Sequence, residues 1–171
     1  MKTFKLTLFT VLSIGVLFFT SCGNKQKKEL TREDMIEEFR AELTLEDTTQ
    51  MLNLCDNLME QLKAKNYSEV LGSLYLYDDS TCEVTTLPED IAKRYERKFK
   101  MFPVLEYNRQ YFSFMLEGCN DVKYEVTFAT AEQTGTGEPA TTMFMFNPVK
   151  VNGEWKVCLK NPENETDPEK D

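Results

Sequence analysis

The chain contains no histidine. That absence removes every Ser-His or Cys-His nucleophile pair, every H-E-x-x-H zinc site and every histidine pH switch. None of the five cysteines forms a C-x-x-C pair, so a zinc site built on thiolates lacks its usual spacing. Basic residues are outnumbered, 20 Lys and Arg against 29 Asp and Glu, for a net charge of −9. A nucleic-acid partner is disfavoured, because phosphate binding needs a basic surface. No apolar run reaches the ~20 residues of a membrane-spanning helix. No internal repeat is present. With 41% hydrophobic and 29% charged residues over 171 positions, collagen, coiled coil and wholesale disorder are excluded, and one domain with tails is expected.

What is present begins at the N-terminus. Lys2 and Lys5 precede a run free of charge from Leu6 to Phe19, the pattern of a signal-peptide core. The run ends in Phe19-Thr20-Ser21-Cys22, which resembles a bacterial lipobox with Phe19 in place of the usual Leu. The resemblance implies a diacylglyceryl thioether on Cys22, cleavage before it, and acylation of the new amine by a fatty acid such as palmitate. An ordinary signal peptide with a chance cysteine is the alternative. Two or more acyl chains make a stable anchor where one is marginal. Cleavage removes Lys2 and Lys5 and takes the net charge from −9 to −11. Residues 22–30 then read as a lipidated flexible stalk, basic through Lys25, Lys27 and Lys28. No aspartate follows Cys22, so by analogy with lipoprotein sorting the outer membrane is expected. The lack of an acidic run after it favours the periplasmic face over the cell surface.

Residues 31–160 carry the folded pattern. Thr31-Arg32-Glu33-Asp34 opens a short helix, and Thr44 is a plausible N-cap for a long one. Met51, Cys55, Leu58 and Leu62 then make one helical stripe. A short helix follows, capped by Ser68. Residues 75–86 are mixed, with a turn at Asp78-Asp79-Ser80 and a short strand around Cys82–Thr85. Thr86-Leu87-Pro88-Glu89 predicts a capping box for a helix with Ile91, Tyr95 and Phe99 on one face. Four strands follow: within 105–116, 122–128, 141–146 and 155–159. Asn152-Gly153 predicts a type I′ hairpin. Residues 161–171, with two prolines and five acids, read as a disordered acidic tail. The expected fold is α+β, with N-terminal helices packed on a curved four-stranded antiparallel sheet.

That order resembles the cone-shaped nuclear-transport-factor-like (cystatin-like) superfamily over about Thr44–Lys160. The local signatures are Leu62-Lys63-Ala64-Lys65-Asn66-Tyr67-Ser68-Glu69-Val70-Leu71 and Val151-Asn152-Gly153-Glu154-Trp155-Lys156-Val157. Many secreted bacterial lipoproteins of unassigned function carry such a domain. The resemblance implies a pocket behind the long helix, with Tyr111, Met115, Tyr124, Phe128, Phe144 and Trp155 as its lining. Those residues serve equally well as plain core. Some enzymes of the superfamily use an aspartate base and a tyrosine donor; Asp78, Asp79, Tyr75 and Tyr77 are the candidates here, in an apparent surface turn.

Four cysteines remain after lipidation. Cys55 lies in a helical stripe and Cys158 in mid-strand, which leaves Cys82 and Cys119, in loops, as the more adaptable disulfide candidates. Free thiols are the alternative. Asp47-Thr48-Thr49 and Asp79-Ser80-Thr81 resemble a three-residue O-glycosylation signal of some bacteria. No cofactor or metal is called for. The expectation is a membrane-anchored, non-catalytic module for a small apolar ligand or an envelope protein; the alternative is a small isomerase- or hydrolase-like Asp/Tyr enzyme.

Overall fold

The computed structural model describes residues 30–160. The expected signal peptide, Cys22, most of the stalk and the acidic tail lie outside the described residues. The order is α1 (Arg32–Glu42), α2 (Leu45–Lys63), α3 (Tyr67–Ser73), β1 (Leu74–Asp78), β2 (Glu83–Thr86), α4 (Glu89–Met101), β3 (Glu106–Ser113), β4 (Asp121–Ala129), α5 (Ala131–Thr134), β5 (Ala140–Val151) and β6 (Glu154–Leu159). Thr31 and Thr44 each close a capping box, with Asp34 and Asp47 returning the bond, so two helix starts follow the expected chemistry. Two caps do not. Thr86 belongs to β2, and α4 starts behind Pro88 with no side-chain cap. Asn66, not Ser68, precedes α3.

The sheet has six strands, not four, in the order β2-β1-β6-β5-β4-β3. The extra pair comes from the segment whose pattern is mixed. Leu74 and Tyr75 pair in parallel with Val157 and Cys158 of β6, and β1 turns back into β2. Both faces of β1 are partly covered, so the clean alternation of a half-buried strand is missing. The other pairs are antiparallel. Register shifts at Arg109/Tyr111 in β3 and Thr127/Ala129 in β4 bend those strands as bulges do. Asn152 and Gly153 have φ of 51° and 86°, both left-handed, as a type I′ turn requires.

The inner face of the sheet carries the core. Val122, Tyr124, Val126, Phe144, Phe146, Trp155, Val157 and Leu159 meet Met51, Cys55, Leu58, Met59 and Leu62 of α2. Tyr95 and Phe99 of α4 close one end, with Phe99 5.5 Å from Phe144 between ring centroids. A second, smaller buried layer lies on the opposite face. There Asn147, Val149 and Cys158 are covered, and the β3–β4 loop supplies the cover through Asn120 and Gly118.

Candidate functional site

Three polar constellations join the elements. The first ties α2 to the sheet. Arg109 Nη1 donates to both oxygens of Asp56, at 3.1 and 3.0 Å, and Tyr124 Oη donates to Oδ1 at 2.6 Å. Tyr107 Oη donates to Glu60 one turn further on. Burial, with Asp56 beside it, pushes the Tyr124 hydroxyl far above its ordinary range. Burial and Glu60 push Tyr107 up to about 12. Here is a carboxylate with tyrosine donors, the pairing acid–base chemistry uses, but at Asp56 rather than at Asp78 or Asp79. Its oxygens accept from Arg109 and Tyr124, so it clamps α2 to β3 and β4. Asp56 and Arg109 gave no signal in the sequence: they come from elements 53 positions apart.

The second constellation is centred on Asp47. Its Oδ2 accepts from the Thr44 amide and hydroxyl, and its Oδ1 accepts from Lys150 Nζ at 2.7 Å and Trp155 Nε1 at 3.0 Å. The ammonium of Lys150 and these donors hold the carboxyl well below the usual carboxylate range, against a small opposing effect of burial. A capping residue thus becomes the bolt between the start of α2 and the closing hairpin.

The third constellation lies under the β3–β4 loop. Asn120 Nδ2 donates to the Pro148 carbonyl at 2.8 Å, Asn147 Nδ2 to the Gly118 carbonyl at 2.6 Å, and the Asn120 amide to Asn147 Oδ1 at 3.0 Å. The buried amides are therefore satisfied, and the loop is fixed on the sheet. Gly118 has φ +80°, and a Cβ there would stand 2.0 Å from Tyr77 Cε1. Only glycine lets the tyrosine ring lie on this backbone. Clefts flank the ring. One, of about 690 Å³, is lined by Tyr77, Asp78, Asp79, Gly118, Cys119 and Lys160 among others. The other, of about 630 Å³, is lined by Tyr77, Cys82, Glu83 and Lys150 among others.

The structure therefore brings Tyr77, Asp78 and Asp79 to one cleft, while Tyr75 points elsewhere, under Lys156. Asp78 Oδ1 accepts from the Ser80 hydroxyl and from the Ser80 and Thr81 amides. These bonds lower its pKa, the Ser80 hydroxyl most, and a carboxylate held ionised by a turn is a poor general base. Burial keeps the Tyr77 phenol protonated.

The six pocket candidates are spread over the core, the β3–β4 loop and the outer face of the sheet. Tyr124, Phe144 and Trp155 are core, at 0%, 3% and 7% exposure. Phe128 packs edge-on against Phe102, with centroids 5.0 Å apart. Met115 sits in the β3–β4 loop, its amide bound to Asn120. Tyr111 is 44% exposed on the outer face, with Lys123 Nζ 5.7 Å from its ring centroid. Trp155 alone of the six lines a described cleft, a shallow one of about 260 Å³ between α2, α3 and β6.

All four cysteines in the described region are free thiols. Burial pushes Cys55 far up, aided by Asp56, and pushes Cys158 up to about 12. Among the described residues no group of three His, Cys, Asp or Glu stands together as metal ligands, and no helix is long and apolar enough to cross a membrane. Of the glycosylation-like triplets, Asp79-Ser80-Thr81 is exposed, whereas Asp47 is buried.

No family model matches the chain. No curated protein matches it. Among solved structures, the chain is similar to a Campylobacter jejuni crystal structure described as an NTF2-like transpeptidase, at 12% identity and a TM-score of 0.37, over 63% of this chain and 96% of that one. A likeness of that degree carries no inference about activity.

Proposed function

We propose that the chain is a lipid-anchored lipoprotein of the outer membrane, on its periplasmic face, whose α+β domain is a non-catalytic module that binds an envelope protein through the outer face of its sheet. The supporting observation is the apolar core between α2 and the sheet. Tyr124, Met51, Met59 and Leu62 are fully buried in it, where a small apolar ligand would have to displace them. Binding then falls to the surface. Tyr111 and Met143, each 44% exposed, lie on one face with Met145, rimmed by Lys123, Glu125 and Thr141. An apolar centre with a polar rim is the anatomy of a protein-docking patch. The Asp/Tyr enzyme is less favoured because Asp56 is held in an ion pair and Asp78 in a turn.

The anchor is tested by Cys22→Ser, which should leave the protein soluble after lysis and free of labelled fatty acid. A membrane-bound, labelled variant would overturn it. The docking face is tested with a photoreactive benzoyl-phenylalanine at Met143 in living cells. One discrete adduct is expected, lost on Tyr111→Glu and absent with the probe at Glu132. The absence of an adduct, or the same products from both probe positions, would contradict it.

A further inference from the structure

Helix α4 separates its charges by side. Tyr95 and Phe99 are buried in the core, with Ile91 half-buried against it. One flank carries two i,i+4 ion pairs, Glu89–Lys93 at 2.6 Å and Glu96–Lys100 at 2.7 Å, which neutralise it. On the other flank Arg94, Arg97, Lys98 and Met101 fall at i, i+3, i+4 and i+7, a single helical stripe. Asp90, in the first turn, is the one acid on that side. The basic flank is also the more covered of the two. Arg94, Arg97 and Lys98 are half-buried, and Arg94 Nε and Arg97 Nε are buried atoms, while Lys93 and Lys100 are exposed. Covering a row of cations is costly unless carboxylates come with the cover.

The chain beyond β6 has that chemistry. Lys160 lines the same cleft as Ile91 of α4, so the chain leaves β6 beside this helix. The acids of residues 161–171 recur at every second position: Glu163, Glu165, Asp167, Glu169 and Asp171. In an extended chain that period sets all five carboxylates on one side, ~6.6–6.8 Å apart. Along a helix, residues spaced like Arg94 and Lys98 stand ~6 Å apart, a close match. Pro162 and Pro168 favour extended backbone in the residues before them. A segment of this length reaches up to ~36 Å when extended, against ~20 Å for the whole of α4. We propose that residues 161–171 dock, extended, along the Arg94–Arg97–Lys98 flank of α4, as a strap of the same chain. The tether holds the strap at an effective concentration in the millimolar range. Contacts that are each worth little at a surface then act together.

The test uses the purified full chain, as a mixture of isotope-labelled and unlabelled molecules. A water-soluble carbodiimide joins a carboxylate to an amine with loss of water. Mass spectrometry should find Lys98 joined to Glu165, Asp167 or Glu169, with both ends from one isotopic population. The joint should vanish in about 1 M sodium chloride, where the screening length is ~3 Å. In a second measurement the strap loses its charge through Glu163→Gln, Glu165→Gln, Asp167→Asn, Glu169→Gln and Asp171→Asn. Phenylglyoxal should then modify Arg94 and Arg97 roughly three- to tenfold faster. Arg109, held by Asp56, should react as slowly as before, which shows that the fold is intact. Joints of mixed isotope would make the occupant a second copy and overturn the proposal. So would joints to Lys123 or Lys156 alone, no joint at all, or unchanged rates at Arg94 and Arg97. Protection of those arginines that appears only with phosphatidylglycerol vesicles would assign the flank to a lipid surface instead. The strap needs neither the anchor nor the outer face of the sheet, so its failure leaves the docking reading standing.

Discussion

Trp155 shows how a residue can be legible while its partner is not. Its place past Asn152-Gly153, on the strand face shared with Val157 and Leu159, predicts burial, and it is 7% exposed. Nothing local announces that its indole N–H donates to Asp47, 108 positions away. Trp155→Ala should cost about 3–5 kcal/mol, the range for emptying a large core site. Its fluorescence should be blue-shifted and shielded from iodide; a red-shifted, quenched tryptophan would place it at the surface. Asp47 gives a pH prediction. Its folded pKa is depressed, so its stabilisation is present above the unfolded value of about 4 and drains away as pH falls toward the folded one. The carboxyl lies just beneath the surface, so Asp47→Asn should cost only about 1–3 kcal/mol at pH 7. Urea titrations should show that gap narrowing below pH about 4, and a gap constant with pH would refute the role. Gly118→Ala adds a strained φ to a collision with Tyr77 and should cost at least about 2 kcal/mol. Tyr77→Ala in the same chain should recover part of that loss; strict additivity would show that the ring does not rest there.

Elements were legible where the pattern is local. The stripe through Met51, Cys55, Leu58 and Leu62 gives α2, and the alternation through Val122, Tyr124 and Val126 gives β4. The short strand expected around Cys82–Thr85 is β2, whereas β1 escaped because its defining contact is a parallel pairing with a strand about 80 positions later, formed by crossover and so invisible to periodicity. Thr86 misleads for a related reason: its capping-box spacing is genuine, but strand pairing with Tyr75 outweighs one cap bond. Helix α1 makes the opposite point. It closes a good capping box and yet buries no residue, holding on through Phe39 and the Arg40 Nε bond to the Phe114 carbonyl at 2.9 Å. Packing, more than propensity, stabilises a helix of this length. Hydrogen exchange should therefore find α1 amides opening well below the global free energy, while those of α2 between Met51 and Leu62 open only with it. Equal protection in both helices would contradict this.

At the scale of the whole molecule, the sequence conveyed the α+β class and the order of helices before strands. It did not distinguish a hollow cone from a filled one. The aromatic residues suited to lining a pocket are the same types that fill a core, and only their placement separates the two. Here α2 and α4 supply Met51, Met59, Tyr95 and Phe99 to the space in front of Tyr124, Phe144 and Phe146. The polar groups at the margin, Asp56 with Arg109 and Asp47 with Lys150, are spent on holding α2 to the sheet. On the outer face of the sheet, Tyr111 and Met143 are exposed. The most direct measurement is a crystal structure of residues 30–160 purified from the producing cells without exposure to added lipids. The account predicts continuous side-chain density between α2 and the sheet, with Tyr124 Oη on Asp56 and no foreign molecule inside. An elongated density there, with Tyr124 turned off Asp56, would contradict it and make the domain a container for an apolar ligand.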